Sequence, residues 1–412
     1  MVDEECRTCL LCGTVVTGFE AIAASECTEK LNCKPTKKQG KMYFEIPVES
    51  VEKANKLCSV EHLFVVVKKV EDFGISNSDE DKETVLNRFG QLVNEINWDQ
   101  GLEIWRDCTN YQGPLKLVEK PRDSSADDAD DNSTCNESVS KKAKTEDFSS
   151  LPRFRVTCAR TGSKHSFSSM EAAASFGGAI NDLFHWRVDL SNADIEVLLN
   201  ITNNTLVIGI ALTRQSLGKR NIQHFGPTTL KSSIAYCLLH LACINPGDIV
   251  CDPMCGGGSI LIEGVLNWPM AAHFCGDNHE LATARVLANL KCISEDEKRC
   301  FPQDIYQWDT CNLPLRTSTV DVMVTDMPFG KKSGSRQLNW TLYPKALTEM
   351  ARVCPPKTGR AIILTQDKKV MKKALNQVSQ WWKVKSTLWI NMGGLQAGVY
   401  VLLRSEKSLL DA

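Results

Sequence analysis

The feature that most constrains this chain is the alternation of short apolar strands with helical segments from about Gly226 to the carboxyl terminus. The strands are predicted at 249–252, 274–277, 320–326 and 361–366. Such alternation is typical of a parallel, doubly wound α/β sheet, in which ligands bind at the carboxyl ends of the strands. The residues that end these strands are therefore the first candidates for a functional site.

Length and composition limit the possible classes of protein. A chain of 412 residues is long enough for two or three domains. No apolar run approaches the roughly 18 to 20 residues that cross a bilayer, and the first residues lack the pattern of a secretory signal. We therefore expect a soluble protein of a reducing compartment, in the cytoplasm or also the nucleus, without a membrane partner.

The net charge of −2 does not exclude a nucleic-acid partner. Segment 119–150 alone carries nine acidic and five basic residues, so the rest of the chain is close to neutral. Binding to RNA would then depend on a local basic patch rather than on the global charge.

The cysteines raise the question of a metal site. Of the 18 cysteines, Cys6, Cys9 and Cys12 repeat at the Cys-x-x-Cys spacing of zinc and iron–sulfur sites. No second pair and no nearby histidine completes the set. The same residues also fit a strand that enters a turn at Thr17-Gly18. We predict the strand and no metal site.

The amino-terminal half reads as two small α+β units separated by a polar linker at 119–150, which we expect to be disordered. Predicted strands and helices before the linker are 10–16, 19–31, 41–47, 51–57 and 62–70. After it come a strand at 154–159, a helix at 169–184 capped by Ser168 and Glu171, and a hairpin, 195–201 with 205–212, that turns at Asn203-Asn204. The predicted domains are 1–79, 80–215 and 216–412.

Glycines follow the first strand of the carboxyl-terminal half, in Pro253-Met-Cys-Gly-Gly-Gly258. They let the backbone approach a ligand and present amide groups at a helix start, although many such turns only link a strand to a helix. Asp277 ends the next strand, where a carboxylate can accept hydrogen bonds from a ribose diol. Asp309 is placed to accept from an adenine amino group, or is a solvated loop acid.

The most specific motif is Asp326-Met327-Pro328-Phe329-Gly330, at the end of an apolar strand. A carboxylate in such a place needs hydrogen-bond partners. A planar base amine would supply them, because Asp326 and the Met327 carbonyl can accept its two N–H bonds while Phe329 stacks on the base.

These strings resemble the Rossmann-type S-adenosylmethionine-dependent guanosine-N2 methyltransferases, as does Phe225-Gly-Pro-Thr-Thr-Leu-Lys231 before the first strand. One departure is Gly257, where the family usually carries Ser or Thr. The resemblance implies a Rossmann-like α/β methyltransferase domain and catalytic roles for Asp326, Met327, Pro328 and Phe329. The implied contacts to S-adenosyl-L-methionine are Pro227, Thr228, Thr229, Asp252, Pro253, Cys255, Gly256, Gly258, Asp277, Asn278 and Asp309.

The amino-terminal half resembles a ferredoxin-like unit followed by a THUMP RNA-binding domain, through Phe154-Arg-Val-Thr-Cys158, Lys164-His165-x-Phe167-x-Ser169 and segment 194–212. The family relation implies tRNA as substrate, with an acceptor-stem guanosine at position 6 and its neighbour 7 as the target. It also implies a small zinc-binding activator subunit as partner in a heterodimer.

Basic residues that could hold RNA lie beside the THUMP-like strand and just after the catalytic motif. They are Arg153, Arg155, Arg160, Lys164, His165, Lys331, Lys332 and Arg336. Each could equally be a solvated surface residue.

Two other functions stay open at this point. Related acid-or-amide, proline and aromatic motifs act on adenine N6 or on a glutamine side-chain amide. A non-catalytic RNA-binding scaffold is the second alternative. The three acids and the complete motif favour an enzyme.

Overall fold

The computed structural model describes residues 7–75, 81–116, 150–162, 165–301, 304–330 and 335–407. The chain forms two compact units, Met1–Leu63 with Gln215–Ala412 and Phe64–Arg214. The division at 214 lies one residue from the predicted boundary. The first division falls after Leu63, inside a strand, and the domain boundary after residue 79 stays a prediction. Within the described ranges no helix is long and apolar enough to cross a membrane.

The amino-terminal part of the first unit is built on strands in the order β2-β3-β1-β4. Its elements are β1 Thr8–Val15, α1 Glu20–Leu31, β2 Thr36–Lys38, β3 Lys41–Pro47, α2 Val51–Ala54 and β4 Val60–Val70. The predicted strands and helix α1 are confirmed within two residues. The helix predicted at 51–57 ends at Ala54, since Lys56 and Leu57 form only the short-range bonds of a turn. Cys9 and Cys12 are buried in β1, whereas Cys6 lies outside the described residues.

The second unit contains strands in the order β4-β8-β7-β5-β6. Its further elements are α3 Lys82–Asn94, α4 Asp99–Thr109, β5 Arg153–Thr161, α5 Ser169–Phe184, β6 Arg187–Val188, β7 Ile195–Thr202 and β8 Thr205–Ala211. The capped helix at 169–184 and the hairpin are confirmed, and Asn203 adopts the left-handed φ of 51° that its turn requires. Apart from Ser150, the predicted linker lies outside the described residues.

The carboxyl-terminal part of the first unit contains a seven-stranded sheet in the order β11-β10-β9-β12-β13-β15-β14. Its elements are α6 Ser232–Leu241, β9 Ile249–Asp252, α7 Ser259–Asn267, β10 Ala272–Asp277, α8 Glu280–Asp296, β11 Ile305–Gln307, β12 Val322–Asp326, α9 Arg336–Val353, β13 Arg360–Thr365, α10 Lys368–Gln377, β14 Trp382–Met392 and β15 Leu395–Arg404. Strands β9 to β13 pair in parallel and β15 is antiparallel to β13. This confirms the predicted doubly wound α/β fold.

Two apolar clusters hold the helices on this sheet. Side chains of α9 and α10, including Tyr343, Met350 and Met371, pack with those of β12 and β13. A second cluster joins α7 and α8 through Ile262 and Val286. The carboxyl ends of β9 to β12 thus lie along one edge of a rigid support.

Strand β14 also contacts the amino-terminal part of its unit. Thr17 and Asn391 form an antiparallel bridge, and the Asn391 amide donates to the Thr17 carbonyl at 3.0 Å. Gly18 has a φ of +103°, and a Cβ there would lie 2.2 Å from the Trp389 carbonyl oxygen. Only glycine fits this approach.

The capping box of α5 gives a test of the second unit. Ser168 accepts from the Glu171 amide, and Glu171 accepts from the Ser168 amide. Ser168→Ala should cost about 1 kcal/mol, and hydrogen exchange should accelerate in the first turn of α5. The exposed Ser166→Ala is the control, and equal exchange in the two variants would contradict the capping role.

Candidate active site

The turn that follows β9, here called the glycine turn (Pro253–Gly258), is held by the acid before it. Asp252 is 3% exposed and accepts from the Met254 amide at 3.2 Å. Gly256 and Gly258 adopt φ angles of 52° and 84°. A Cβ on Gly258 would lie 2.8 Å from Val286, so glycine is required there, whereas the space around a Cβ on Gly256 is open to 4 Å.

Asp277 connects the end of β10 to the glycine turn. One carboxylate oxygen accepts from the Gly256 amide at 3.0 Å, and the other accepts from the His279 amide at 3.0 Å. Each carboxylate oxygen has two lone pairs, so each keeps one for a further donor. The side chain is half-buried and Asn278, the next residue, is exposed.

The end of β11 brings a third acid to the same edge. The Trp308 indole donates to the Pro253 carbonyl at 3.1 Å, and its backbone amide donates to the Asp277 carbonyl at 3.1 Å. Asp309 follows, exposed, with its carboxylate accepting from the Cys311 amide at 2.9 Å. Trp308 therefore ties β9, β10 and the Asp309 loop together.

Asn289, in α8, joins the glycine turn to the segment before α6. Its side chain is fully buried, and its oxygen accepts from the amides of Gln223 and His224 at 3.0 and 2.8 Å. Its nitrogen donates to the carbonyls of His224 and Gly257 at 3.2 and 3.1 Å. Every hydrogen-bonding position of this amide is used to set the spacing of two loops. The exposed Pro227 and Thr228 and the half-buried Thr229 follow on this segment.

Asp326, at the end of β12, carries a buried oxygen without a partner in the described part of the chain. Its Oδ1 is buried and has no hydrogen-bond partner among the described residues. Burial, with the negative charge of Asp252 added to it, raises the pKa of Asp326 well above its usual range. Burial also raises the pKa of Asp252 to about 7. A carboxylate in this state is completed by an external donor.

The turn after Asp326 is fixed by helix α9. The Pro328 carbonyl accepts from the Asn339 side-chain amide and from the Tyr343 hydroxyl, both at 2.8 Å. Met327 is buried and its amide donates to the Leu364 carbonyl at 2.9 Å. Phe329 is half-buried, so part of its ring is available to a ligand.

The predicted catalytic and cofactor residues all lie in one compact unit, along the carboxyl edge of its parallel sheet. The exposed and half-buried members surround acids whose remaining lone pairs can accept hydrogen bonds. Such an arrangement can bind a ligand that carries hydroxyl and amino groups, and it can hold an amine against Asp326.

The predicted RNA-binding residues differ in availability. Arg153 pairs with Asp194 at 3.0 Å and Arg155 with Glu196 at 2.7 Å. Both guanidinium groups already form ion pairs within the chain, and their binding to phosphate stays a prediction.

Three of the remaining candidates, Arg160, His165 and Arg336, form no ion pair in the structure that is described. Arg160 is exposed over the Phe167 ring, and His165 stacks on that ring while its Nε2 contacts the Asn203 carbonyl at 3.0 Å. Arg336 is exposed at the start of α9. Lys164, Lys331 and Lys332 lie outside the described residues.

Three residues that hold the site were missed from the sequence: Asn289, Asn339 and Tyr343. A signal was present, because each asparagine lies on the apolar face of its helix. Asn289 falls in step with Val286, Leu290 and Ile293. A polar side chain at such a position must find internal partners.

Comparison with known protein families identifies two domains. Residues 219–397 match the RMKL-like methyltransferase domain and residues 135–211 match the THUMP domain. The tRNA (guanine(6)-N(2))-methyltransferase THUMP3 of Bos taurus is 43% identical, over 96% of this chain and 88% of that protein.

Two solved structures share the fold. TrmN from Thermus thermophilus superposes with a TM-score of 0.71 at 20% identity, covering 97% of this chain and all of that one. SMU.472, a putative methyltransferase complexed with SAH, gives 0.66 at 15% identity, covering 97% and 99% of the two chains.

The raised pKa of Asp326 predicts that its ionised carboxylate, which the proposed site needs, lowers the stability of the fold. A pKa raised in the native state means that the native state binds the proton more tightly than the unfolded chain, so stability falls as pH rises from the ordinary aspartate range through the raised value. Asp326→Asn should therefore raise the melting temperature at pH 8, and the gain should vanish as pH falls towards about 4. The exposed Asp296→Asn is the control, and a destabilised Asp326→Asn at pH 8 would contradict the argument.

Asn289→Asp keeps both acceptor contacts but sets carboxylate oxygens against the His224 and Gly257 carbonyls. Affinity for S-adenosylmethionine, measured by calorimetry, should fall at least tenfold. A loss of this size corresponds to the free energy of about one buried hydrogen bond. The Gln223 and His224 amides should stay protected from exchange in Asn289→Asp and lose protection in Asn289→Ala. Exposed Asn376→Asp is the matched control, and unchanged affinity in Asn289→Asp would exclude the positioning role.

Proposed function

The chain belongs to the family of THUMP-domain guanine-N2 methyltransferases, and from this we propose that it transfers a methyl group from S-adenosylmethionine to guanosine N2 in tRNA. The observation that carries the proposal is the buried, unpartnered oxygen of Asp326 beside the half-buried Phe329. The relative that is 43% identical bears the name of a tRNA (guanine(6)-N(2))-methyltransferase, which supports position 6 as the target. Methylation of the neighbouring position 7 is part of the proposal.

The residues of the site fit the proposed cofactor. Asp277 keeps a free lone pair on each oxygen, as a ribose diol requires, and the exposed Asp309 lies beyond the next strand. The open space beside Gly256 and the start of α7 leave room for a ligand close to the backbone. Bound there, S-adenosylmethionine would supply an activated methyl group. The solved relative with bound SAH supports the same assignment.

Asp326 would act on the amine of the target base. Its free Oδ1 accepts one N–H bond of guanine N2 and the Met327 carbonyl accepts the other, which holds the nitrogen in line for attack. The carboxylate would also stabilise the positive charge that builds on N2 as the methyl group is transferred and S-adenosylhomocysteine is left. N2 then loses this charge by releasing a proton. Phe329 stacks on the base, while Asn339 and Tyr343 keep the turn in place through the Pro328 carbonyl.

The proposal includes a partner subunit. The family resemblance implies a heterodimer with a small zinc-binding activator, and activity assays should therefore compare the chain alone with the chain co-expressed with such a subunit. Recovery of full activity by the chain alone would remove the activator from the proposal.

Methylation of a tRNA transcript with guanosine at position 6 tests the function, with mass spectrometry of ribonuclease fragments to locate the methyl group and of nucleosides to identify it. We expect N2-methylguanosine from this transcript and none at position 6 when inosine, which lacks the N2 amine, replaces that guanosine. Asp326→Asn keeps an acceptor oxygen but loses the charge, so its single-turnover rate should fall about 10²-fold. Asp326→Ala should be slower still, with cofactor affinity unchanged in both.

Several results would contradict this reading. Methyl transfer only to adenosine, or only to a protein glutamine, would replace the substrate. A wild-type rate in Asp326→Ala would remove the acid from the mechanism, and lost cofactor binding would make it structural.

A further inference from the structure

A surface of two tryptophans and four lysines lies outside the site described above. We name it the tryptophan–lysine surface: Trp340 of α9, Lys368, Lys369, Lys372 and Lys373 of α10, and Trp389 of β14. The two indoles are 43% and 51% exposed. Large exposed aromatics beside basic residues are unusual on a surface that binds nothing.

The contacts make this one surface. The Lys373 amine lies 5.0 Å from the Trp340 ring centre, and the Lys368 amine lies 4.1 Å from that of Trp389. Lys368 also donates to the Gln396 side chain at 3.3 Å. Helix α10 therefore links α9 to the β14–β15 hairpin.

Strand register places the surface near Asp326. Trp389 pairs with Gly398, which pairs with Thr365 of β13, and Asp326 pairs with Leu364 on the other side of β13. Three strand spacings separate Trp389 from β12, roughly 14 Å. The hairpin continues three residues past this register, about 10 Å beyond the catalytic edge.

Helix α9 brings the other end of the surface closer. A Cβ on Gly330, which follows the catalytic turn, would lie 2.7 Å from the Arg336 amide nitrogen. Trp340 is four residues further along α9, about 6 Å. The surface thus begins at the catalytic turn and runs to the hairpin.

The charge of the surface is of one sign. Helix α10 has the sequence KKVMKKALNQ, with four lysines and no acid, and Lys369 and Lys372 are exposed. Asp367, just before the helix, is occupied as its cap by the Val370 amide. Ammonium groups beside partly exposed tryptophan rings are a combination that can hold a phosphate backbone and stack bases.

We propose that the tryptophan–lysine surface binds the RNA strand beside the target nucleotide, with lysines on phosphates and the tryptophans as stacking positions for unpaired bases. The inference rests on the proposed function and adds the path of the substrate. Lys368 lies over the Trp389 ring, and an exposed cation–π contact is weak, so its flexible side chain can move to a phosphate when a base stacks there.

The charge contribution is tested by the double variant Lys369→Glu/Lys372→Glu in the full chain. Binding of fluorescent tRNA, measured by anisotropy over a series of KCl concentrations, should weaken at least tenfold. The slope of log affinity against log salt should become shallower by about two phosphate contacts. Affinity for S-adenosylmethionine should not change.

The control Lys38→Glu/Lys291→Glu makes the same charge change at exposed lysines of β2 and α8. It should leave tRNA affinity within about threefold of wild type. Equal losses in both double variants, or unchanged tRNA affinity in Lys369→Glu/Lys372→Glu, would overturn the proposal. Unchanged tRNA affinity in Lys369→Glu/Lys372→Glu would instead favour an acidic protein as the partner of this surface.

Stacking is tested at Trp389. Trp389→Ala should weaken tRNA binding at least fivefold and Trp389→Tyr by less than twofold, because a tyrosine ring still stacks. Equal weakening in both, with a lower melting temperature, would make Trp389 a packing residue and overturn the stacking role. Wild-type protein that binds tRNA through this surface but transfers no methyl group would refute the proposed function and leave this inference standing.

Discussion

Parallel pairing of β9 with β10 and β12 brings the carboxylates of Asp252, Asp277 and Asp326 to one edge of the sheet. Many contacts of the site supply hydrogen bonds to these acids or fix the loops beside them. Asp252 and Asp326 end neighbouring strands, so burial and their mutual repulsion both raise the pKa of Asp326. Asp277 lies in a different setting, because it is half-buried and accepts from two backbone amides. The site therefore contains one carboxylate already satisfied enough to hold a ligand and one that needs a donor. Asp277 is thus suited to bind a ligand, and Asp326 to act on an amine.

Buried asparagine side chains fix the positions of the loops around these acids. Asn289 connects the glycine turn to the segment at 223–224, and Asn339 fixes the turn after Asp326 through the Pro328 carbonyl. An apolar side chain could fill either space but could not hold a loop by directional bonds. The two asparagines thus replace apolar packing with hydrogen bonds that fix the geometry of the loops. Positioning an amine for transfer requires such a fixed geometry.

The positions along the chain where the parallel strands end, and the loops that follow them, were predictable from the sequence. Apolar strands that end in acids and glycines are local signals. It predicted the hairpin at Asn203 for the same reason. Contacts between distant segments were not accessible in this way. The ion pairs of Arg153 and Arg155 form across β5 and its neighbours, and Asn289 acts on residues more than sixty positions earlier. At Gly257, a Cβ would meet the Thr229 hydroxyl at an ordinary 3.5 Å, and nothing in the structure explains the departure from the family's Ser or Thr.

The division of the chain changes the role of its first residues. The resemblance to a ferredoxin-like unit predicts a domain at 1–79, and in the structure Met1–Leu63 forms one compact unit with the methyltransferase part. Glu61 accepts from Lys231 at 2.8 Å and from Ser233 at 3.2 Å, directly after the segment that carries Thr229.

A second contact, the bridge between Thr17 and Asn391, covers part of the β14 edge near Trp389. A fragment that begins at 216 would lose both contacts, leaving α6 without its partner and β14 with an open edge, which favours association between chains. Loss of activity in such a fragment would then report on folding as much as on RNA binding. Point variants in the full chain separate the two effects, because they leave Met1–Leu63 in place against the catalytic sheet.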